Sequence, residues 1–289
     1  MFWAGGKINK VGVDGSGASV IPFRVNDTRV VIDATHPQIE LAPDRFTTKM
    51  PRWASVSPDG RQVVFETLGK LWLRDMNGGT AHRLVKGDET EMELWPTWSR
   101  DGRSIAFVGW TDAGLGHVRM VAAGGGAARD VTASAGHFAR PKFSPDGKTI
   151  VFESGQGGGL TAARGSENPG VYRVATSGGA PVRITKDGAE PQFGASNDRV
   201  FLVANEKDKR QLVSTDLNGE AKHVHASGDL VNDYVVSPSG EYVAFRQNYQ
   251  AFVMPLAQRS TLKKPGKSST YSSRQARPSA PRNVFELDD

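Results

Sequence analysis

The residues best suited to metal chemistry in this sequence are His223 and His225, which lie in the segment HVHASGD. On a strand, residues two apart point the same way, so two imidazoles in this spacing can reach one metal ion. No alternating strand and helix pattern follows them, and no downstream Lys, His and Asp complete a ligand set. We therefore interpret the pair as part of a surface strand and predict no metal site.

Other candidates for chemistry are scattered or incomplete. His36, His82, His117 and His137 fall one per segment, the G-x-S-x-G motif of a serine nucleophile is absent, and the chain has no cysteine. Its glycine runs lack the following helix that a phosphate loop requires. The sequence thus predicts no catalytic residue, no cofactor and no enzyme activity for this chain alone. The glycine-rich loop from 155 to 170 is the one insertion with potential for recognition.

Five tryptophans, Trp53, Trp72, Trp95, Trp98 and Trp110, lie within runs of strand-forming residues. Large aromatic side chains in strands commonly fill a core. We therefore expect these rings to pack between sheets rather than to stack on a ligand.

A recurring phrase indicates the elements that position all these residues. In KFSPDGKTIVFES, residues 142–154, Pro145 and Asp146 favour a tight turn and Gly147 accepts the positive φ that reverses the chain. The following residues alternate apolar and polar types and are rich in β-branched and aromatic side chains. The phrase is therefore a hairpin corner.

Near-copies of this corner end at Gly60, Gly102, Gly147, Asp198 and Gly240, at steps of 42, 45, 51 and 42 residues. A strand-rich repeat of about 40 to 50 residues is typical of a propeller blade, because four short antiparallel strands and their turns occupy that length. The sequence predicts an all-β fold of four-stranded antiparallel blades. The repeats lie near 52–85, 95–132, 139–185, 190–225 and 233–257.

Within the third repeat, four strands are expected: Arg140–Ser144, Thr149–Ser154, Val171–Ala175 and Val182–Thr185. A single blade cannot bury both of its faces, so neighbouring blades must stack to make the core.

The two ends do not fit a complete ring. Residues 2–23 predict two strands and a hairpin, the second half of a blade, and a connector with one possible strand, Arg29–Asp33, extends to residue 51. Either these strands complete the last blade of a closed ring of about five blades, or the chain is part of a larger ring. We favour an incomplete propeller with five to six blades represented. Residues 260–289, basic and rich in Ser and Pro, predict a disordered tail after blades that span 52–259.

Composition excludes several classes of function. No apolar stretch of about 18 residues predicts a membrane span, and the N-terminus lacks a signal-peptide pattern. Much of the net charge of +5 comes from the tail, so the charge distribution gives poor support for nucleic-acid binding.

The repeats resemble the WD40-like, S-P-D-G-containing repeats of TolB-type propellers, including those of tricorn-type and prolyl-oligopeptidase-type proteins. The stretches MPRWASVSPDGRQVVFETLGKLWLRDMNGGTAHRL and ELWPTWSRDGRSIAFVGWTDAGLGHVRMV are most similar to the N-terminal propeller of bacterial amidohydrolase-related proteins. This resemblance covers residues 1–257 and implies a periplasmic or extracellular location.

Three functions follow from the resemblance. The first is a non-catalytic propeller that binds a protein or peptide, or that controls access to an attached hydrolase domain. The second is the propeller portion of a metal-dependent amidohydrolase, and the third is an independent scaffold like the Tol-Pal propeller.

Overall fold

The computed structural model describes residues 1–30, 44–87, 89–155, 168–256 and 282–283. The regular elements among these residues are all strands, which confirms the all-β prediction. No helix that is long and apolar enough to cross a membrane occurs in the described ranges. The chain divides into two compact units, of which the first contains Met1–Thr47 and the second begins at Thr48.

The N-terminal unit contains a three-stranded antiparallel sheet of β1 (Phe2–Ala4), β2 (Lys7–Lys10) and β3 (Ser19–Ile21). Sequence reasoning expected two strands here, so the third strand is a correction. Gly5 and Gly6, both at positive φ, make the tight turn from β1 to β2. The strands pair with one another, and most of the possible strand Arg29–Asp33 lies outside the described residues. The assignment of residues 1–51 to half a blade stays a prediction.

The second unit contains five four-stranded antiparallel sheets, which we number as blades 1 to 5. Blade 1 contains β4 (Arg52–Val56), β5 (Gln62–Thr67), β6 (Lys70–Asp75) and β7 (His82–Arg83). Blade 2 follows β8 (Val85–Lys86) and contains β9 (Met92–Trp98), β10 (Ser104–Thr111), β11 (Leu115–Ala122) and β13 (Arg129–Asp130). The short β12 (Gly126–Ala127) precedes β13 and pairs with β8 in parallel, so it joins blade 2 to the strand that follows blade 1.

The three remaining blades repeat the same meander. Blade 3 contains β14 (Phe138–Phe143), β15 (Thr149–Ser154), β16 (Gly170–Ala175) and β17 (Val182–Thr185). Blade 4 contains β18 (Ala189–Phe193), β19 (Arg199–Glu206), β20 (Lys209–Asp216) and β21 (His223–Gly228). Blade 5 contains β22 (Val231–Val236), β23 (Tyr242–Gln247), β24 (Gln250–Pro255) and β25 (Arg282–Asn283). The four strands expected in the third repeat are confirmed to within two residues at each end.

The core lies between consecutive blades, because alternate residues of a strand face opposite neighbours. On β10, Ile105 and Phe107 pack with residues of blade 1, whereas Ala106 and Val108 pack with residues of blade 3. The clusters between blades 3 and 4 and between blades 4 and 5 are built in the same way. Each blade thus buries both faces only by stacking, as expected for a repeat architecture.

The recurring corner is held together by its own side chains. In blade 3, the Ser144 hydroxyl donates to the Asp146 carboxylate at 2.6 Å and accepts from the Thr149 backbone N–H at 3.0 Å. Ser–Asp pairs at 2.6 Å recur at the corners of blades 1 and 2. Gly147 has a φ of 70°, in the left-handed region. The serine, aspartate and glycine of the phrase therefore recur because each makes a specific part of the turn.

Gly147→Ala is expected to lower the free energy of unfolding by about 1 kcal/mol, because alanine is strained at positive φ. No heavy atom lies within 4 Å of the added Cβ, so the lost stability comes from backbone strain and not from a steric clash. Gly124→Ala is the matched control: its Cβ also meets open space, but its φ lies outside the left-handed region. Urea denaturation of both variants checks this, and equal stabilities would contradict it.

Candidate binding site in the axial pocket

The first strand of each blade lies next to the first strand of the following blade, so these strands surround the axis of the propeller. Each of them carries an irregularity in its register. In blade 3, Arg140 lies four residues before Ser144 of the corner. The equivalent position in blades 1 to 5 is occupied by Trp53, Trp95, Arg140, Glu190 and Asp233. The first four of these have a φ between 48° and 54°. Non-glycine residues adopt this conformation at an energetic cost, and such strain concentrates at functional sites.

These four residues line a pocket of about 300 Å³, to which blade 5 contributes Tyr234 and Val235. Blades 1 and 2 supply an aromatic wall. The rings of Trp53 and Trp95 lie 4.8 Å apart between centroids, tilted by 39°. Trp53 is 36% exposed, a large fraction for an indole in a strand. This half of the pocket therefore offers apolar ring surface to a ligand.

Blades 3, 4 and 5 supply a charged wall. Arg140 pairs with Glu153 at 3.0 Å. Glu190 pairs with Arg210 at 3.0 Å, and Asp233 pairs with Arg246 at 2.6 Å. A second cavity, of about 620 Å³, continues from this wall along blade 5 and shares Arg140, Lys142, Glu190, Tyr234 and Val235 with the first.

Arg100 crosses the axis at the end of the pocket where the corners lie. It occupies the proline position of the corner phrase in blade 2, and its guanidinium donates to the Pro238 carbonyl of blade 5 at 3.0 Å. It also donates to the Phe193 and Gly194 carbonyls of blade 4. One side chain thus ties blade 2 to the two blades across the axis.

The prediction for the tryptophans is only partly correct. Trp98 is 8% exposed, packs between blades 1 and 2, and donates from its indole to the Ser55 carbonyl at 2.9 Å. Trp95 packs against the core cluster between blades 2 and 3 and also borders the pocket, whereas Trp53 faces the pocket, as part of an axial site that sequence reasoning missed. The signal was their fixed distance before the corner, since Trp53 and Trp95 align with the charged Arg140 and Glu190.

His223 and His225 lie on β21, the last strand of blade 4, far along the blade from the first strand. The Ser214 hydroxyl contacts His225 Nε2 at 2.6 Å and accepts from Arg199 Nε at 2.8 Å. Arg199 therefore donates to Ser214, which in turn donates to a neutral His225. Ser214 is fully buried, so its hydroxyl cannot reach a substrate as a nucleophile would.

The remaining candidate residues do not come together into a site. His82 is exposed, His117 Nδ1 lies 3.1 Å from the Thr132 carbonyl, and the His137 ring lies 4.8 Å from the Trp110 ring, tilted by 48°. His36 lies outside the described residues, as does most of the loop from 155 to 170. No cluster of three or more metal-ligating side chains occurs in the part of the chain that the structure describes. The absence of a metal site stays a prediction, and we expect metal analysis of the purified chain to find less than stoichiometric zinc.

His225 should make stability depend on pH. Desolvation, followed by the charges of Arg199 and His223, lowers the pKa of His225 from 6.5 to about 4. Between these values the unfolded chain binds more protons, so the stabilisation is present above pH 6.5 and is lost as the pH falls towards 4. The full shift corresponds to about 3 kcal/mol, which solvent screening of this half-buried ring reduces to about 1–2 kcal/mol.

His225→Gln removes the titrating group and keeps a side chain that can bond to Ser214. As the pH falls from 7 to 4, we expect its free energy of unfolding relative to that of the parent chain to rise by about 1–2 kcal/mol. Denaturant titrations of both proteins across this range measure the difference, and parallel pH profiles would contradict the prediction.

Five four-stranded blades with their first strands around a shared pocket define a β-propeller. Residues 50–261 match the family model of the TolB beta propeller domain, and the chain belongs to this family. The fold is similar to that of a TolB-like protein from Agrobacterium tumefaciens, with a TM-score of 0.60 at 17% identity, over 73% of this chain and 78% of that one.

Two curated relatives extend the comparison. The chain is 24% identical over 225 residues to the uncharacterized peptidase YuxL of Bacillus subtilis (strain 168), over 77% of this chain and 31% of that protein. It is 28% identical over 141 residues to the Tol-Pal system protein TolB of Francisella tularensis, over 48% of this chain and 29% of that protein. The chain thus spans less than a third of the length of either relative.

Proposed function

We propose that this propeller is a non-catalytic binding module that takes a peptide segment of a partner protein into its axial pocket. The observation that carries the proposal is the ring pair of an exposed Trp53 and a partly buried Trp95 in a concave site shared by five blades. Tryptophans in such pockets are enriched among the residues that contribute most to protein binding. A rigid ring loses little conformational entropy when it binds, which favours recognition of a flexible segment.

The placement of the polar groups supports binding rather than catalysis. The acids bordering the pocket are each paired with an arginine, and the one Ser–His contact that resembles a nucleophile and base has a buried serine. Catalytic acids and bases need access to the substrate. Among the described residues, the pocket therefore offers surfaces for recognition.

A second candidate is a propeller that controls access to a hydrolase domain in a longer protein. The similarity to YuxL, named as a peptidase and matched over only 31% of its length, favours this reading. The narrower assignment to an amidohydrolase stays a prediction from the resemblance. The DNA downstream tests it: a barrel beginning with an H-x-H strand would support the amidohydrolase, and a peptidase domain would support the other hydrolase.

Binding is tested by panning a phage library of 12-residue peptides on the full 289-residue chain. We expect selected peptides to bind at least about tenfold more weakly to a Trp53→Ala, Trp95→Ala variant, since each truncation removes ring surface from the pocket. Trp53→Ala alone is a second test if the double variant melts at a lower temperature.

Tyr249→Ala is the matched control, because Tyr249 is 99% exposed at the turn between β23 and β24 and does not line the pocket. Its affinity for the same peptides should be unchanged. A library that yields no binder, or binders that are insensitive to Trp53 and Trp95, would overturn the proposal.

A further inference from the structure

The charges at the axial pocket do not balance. Four cations (Arg140, Lys142, Arg210 and Arg246) and three carboxylates (Glu153, Glu190 and Asp233) lie in or beside its charged wall. Every carboxylate is paired with an arginine. Lys142 has no ion pair with any residue that the structure describes. The charged wall therefore has one uncompensated positive charge.

Lys142 lies on β14, two residues after Arg140, where its side chain borders both cavities. Water reaches it through the open pocket, but surrounding protein desolvates it, and this desolvation, followed by the Arg140 charge, lowers the pKa of Lys142. A cation in this position is stabilised by an anion that enters the pocket. The lysine is thus better matched to a ligand than to any partner in the described part of the chain.

Most of the other polar side chains of the pocket already have partners. Gln192 donates to the Tyr234 carbonyl at 2.7 Å and accepts from the Val236 N–H at 2.9 Å. Arg140 and Glu190 are held in ion pairs. Few groups remain to bind the several hydroxyls of a sugar, whereas one free ammonium beside two indole rings fits one carboxylate beside an apolar side chain.

From this arrangement we infer that the axial pocket recognises a carboxylate of an acidic peptide, with the carboxylate on Lys142 and a neighbouring apolar side chain on Trp53 and Trp95. The inference rests on the proposed function and specifies its ligand chemistry. The carboxylate comes from an Asp or Glu side chain or from a peptide C-terminus, which share the chemistry that Lys142 recognises.

The test uses peptides selected on the chain, synthesised in matched forms. One pair replaces each Asp or Glu by Asn or Gln, and a second pair compares a free with an amidated C-terminus. We expect one of these changes to weaken binding at least about tenfold, as loss of a charge-assisted hydrogen bond does. The pair that responds identifies the source of the carboxylate.

Lys142→Met should weaken binding of the unchanged peptide by a similar factor. Neutralising the peptide's carboxylate should then have no further effect, since the substitution and the neutralisation remove the same ion pair. Lys148→Met, which removes an exposed lysine at the corner of the same blade, should bind as the parent chain does. Thermal melting checks that both variants fold.

The outcomes separate this inference from the proposed function. Binding of the selected peptides can depend on Trp53 and Trp95 and yet be unchanged when the peptide is neutral or when Lys142 is replaced by Met. That result would overturn the carboxylate assignment and leave the proposed binding module intact. The absence of any selected peptide would overturn both.

Discussion

Replacing Glu93 with alanine is expected to lower the free energy of unfolding by about 3 kcal/mol. Glu93 lies on β9 of blade 2 and is 1% exposed. Its carboxylate accepts from the Leu71 N–H of blade 1 at 2.6 Å and lies 3.4 Å from Arg83 Nη2. Alanine would leave the Leu71 N–H buried without an acceptor and remove a charge partner of Arg83. One side chain thus stabilises the contact between two blades.

Burial raises the pKa of Glu93, so the cost of desolvating its charge offsets part of its interactions. For this reason Glu93→Gln, which keeps an acceptor without the charge, should lose less stability than Glu93→Ala. Glu241→Ala, at an exposed position in the corner of blade 5, is the control and should be nearly neutral. Urea denaturation measures all three, and a loss below about 1 kcal/mol in Glu93→Ala would contradict the prediction.

The blades could be predicted from the sequence because the corner repeats in residue type as well as in position. Ser144, Asp146 and Gly147 each satisfy a local requirement of the turn, and local requirements leave a visible pattern. The flanking strands alternate because each blade packs between two neighbours. Fold class and the strands of blade 3 therefore followed from periodicity alone.

The axial site could not be predicted in this way, because its residues share a position and not a type. Trp53 and Trp95 share no chemistry with Arg140 and Glu190, and the four meet only because first strands surround the axis. Lys142 is left unpaired because the carboxylates near it form ion pairs with arginines, and these pairs join different strands within blades 3, 4 and 5. Only the three-dimensional arrangement shows it.

The strands β3 and β25 were missed for related reasons. β3 (Ser19–Ile21) is three residues long and follows a glycine-rich turn, so it has too little length for a periodic signal. β25 (Arg282–Asn283) pairs with β24 from within a segment whose composition indicates a tail. Long-range pairing of a short segment leaves almost no local trace.

Arg100→Met is expected to lower the free energy of unfolding by about 2 kcal/mol, because hydrogen bonds to a charged donor contribute about 1.5–3 kcal/mol and this site is partly exposed. The guanidinium bonds to carbonyls of Phe193, Gly194 and Pro238 in blades 4 and 5. Methionine retains much of the side chain's length but donates to none of them. Denaturant unfolding of the variant measures the loss.

Arg100→Pro distinguishes the bridge across the axis from the corner itself. Proline occupies this position in blades 1 and 3, as Pro58 and Pro145, so the substitution restores the S-P-D-G phrase and suits the turn. If the bridge stabilises the ring, Arg100→Pro should lose about as much stability as Arg100→Met, whereas Arg103→Met, at an exposed arginine of the same corner, should lose almost none. A proline variant as stable as the parent chain would mean that the hydrogen bonds of Arg100 to blades 4 and 5 do not stabilise the ring.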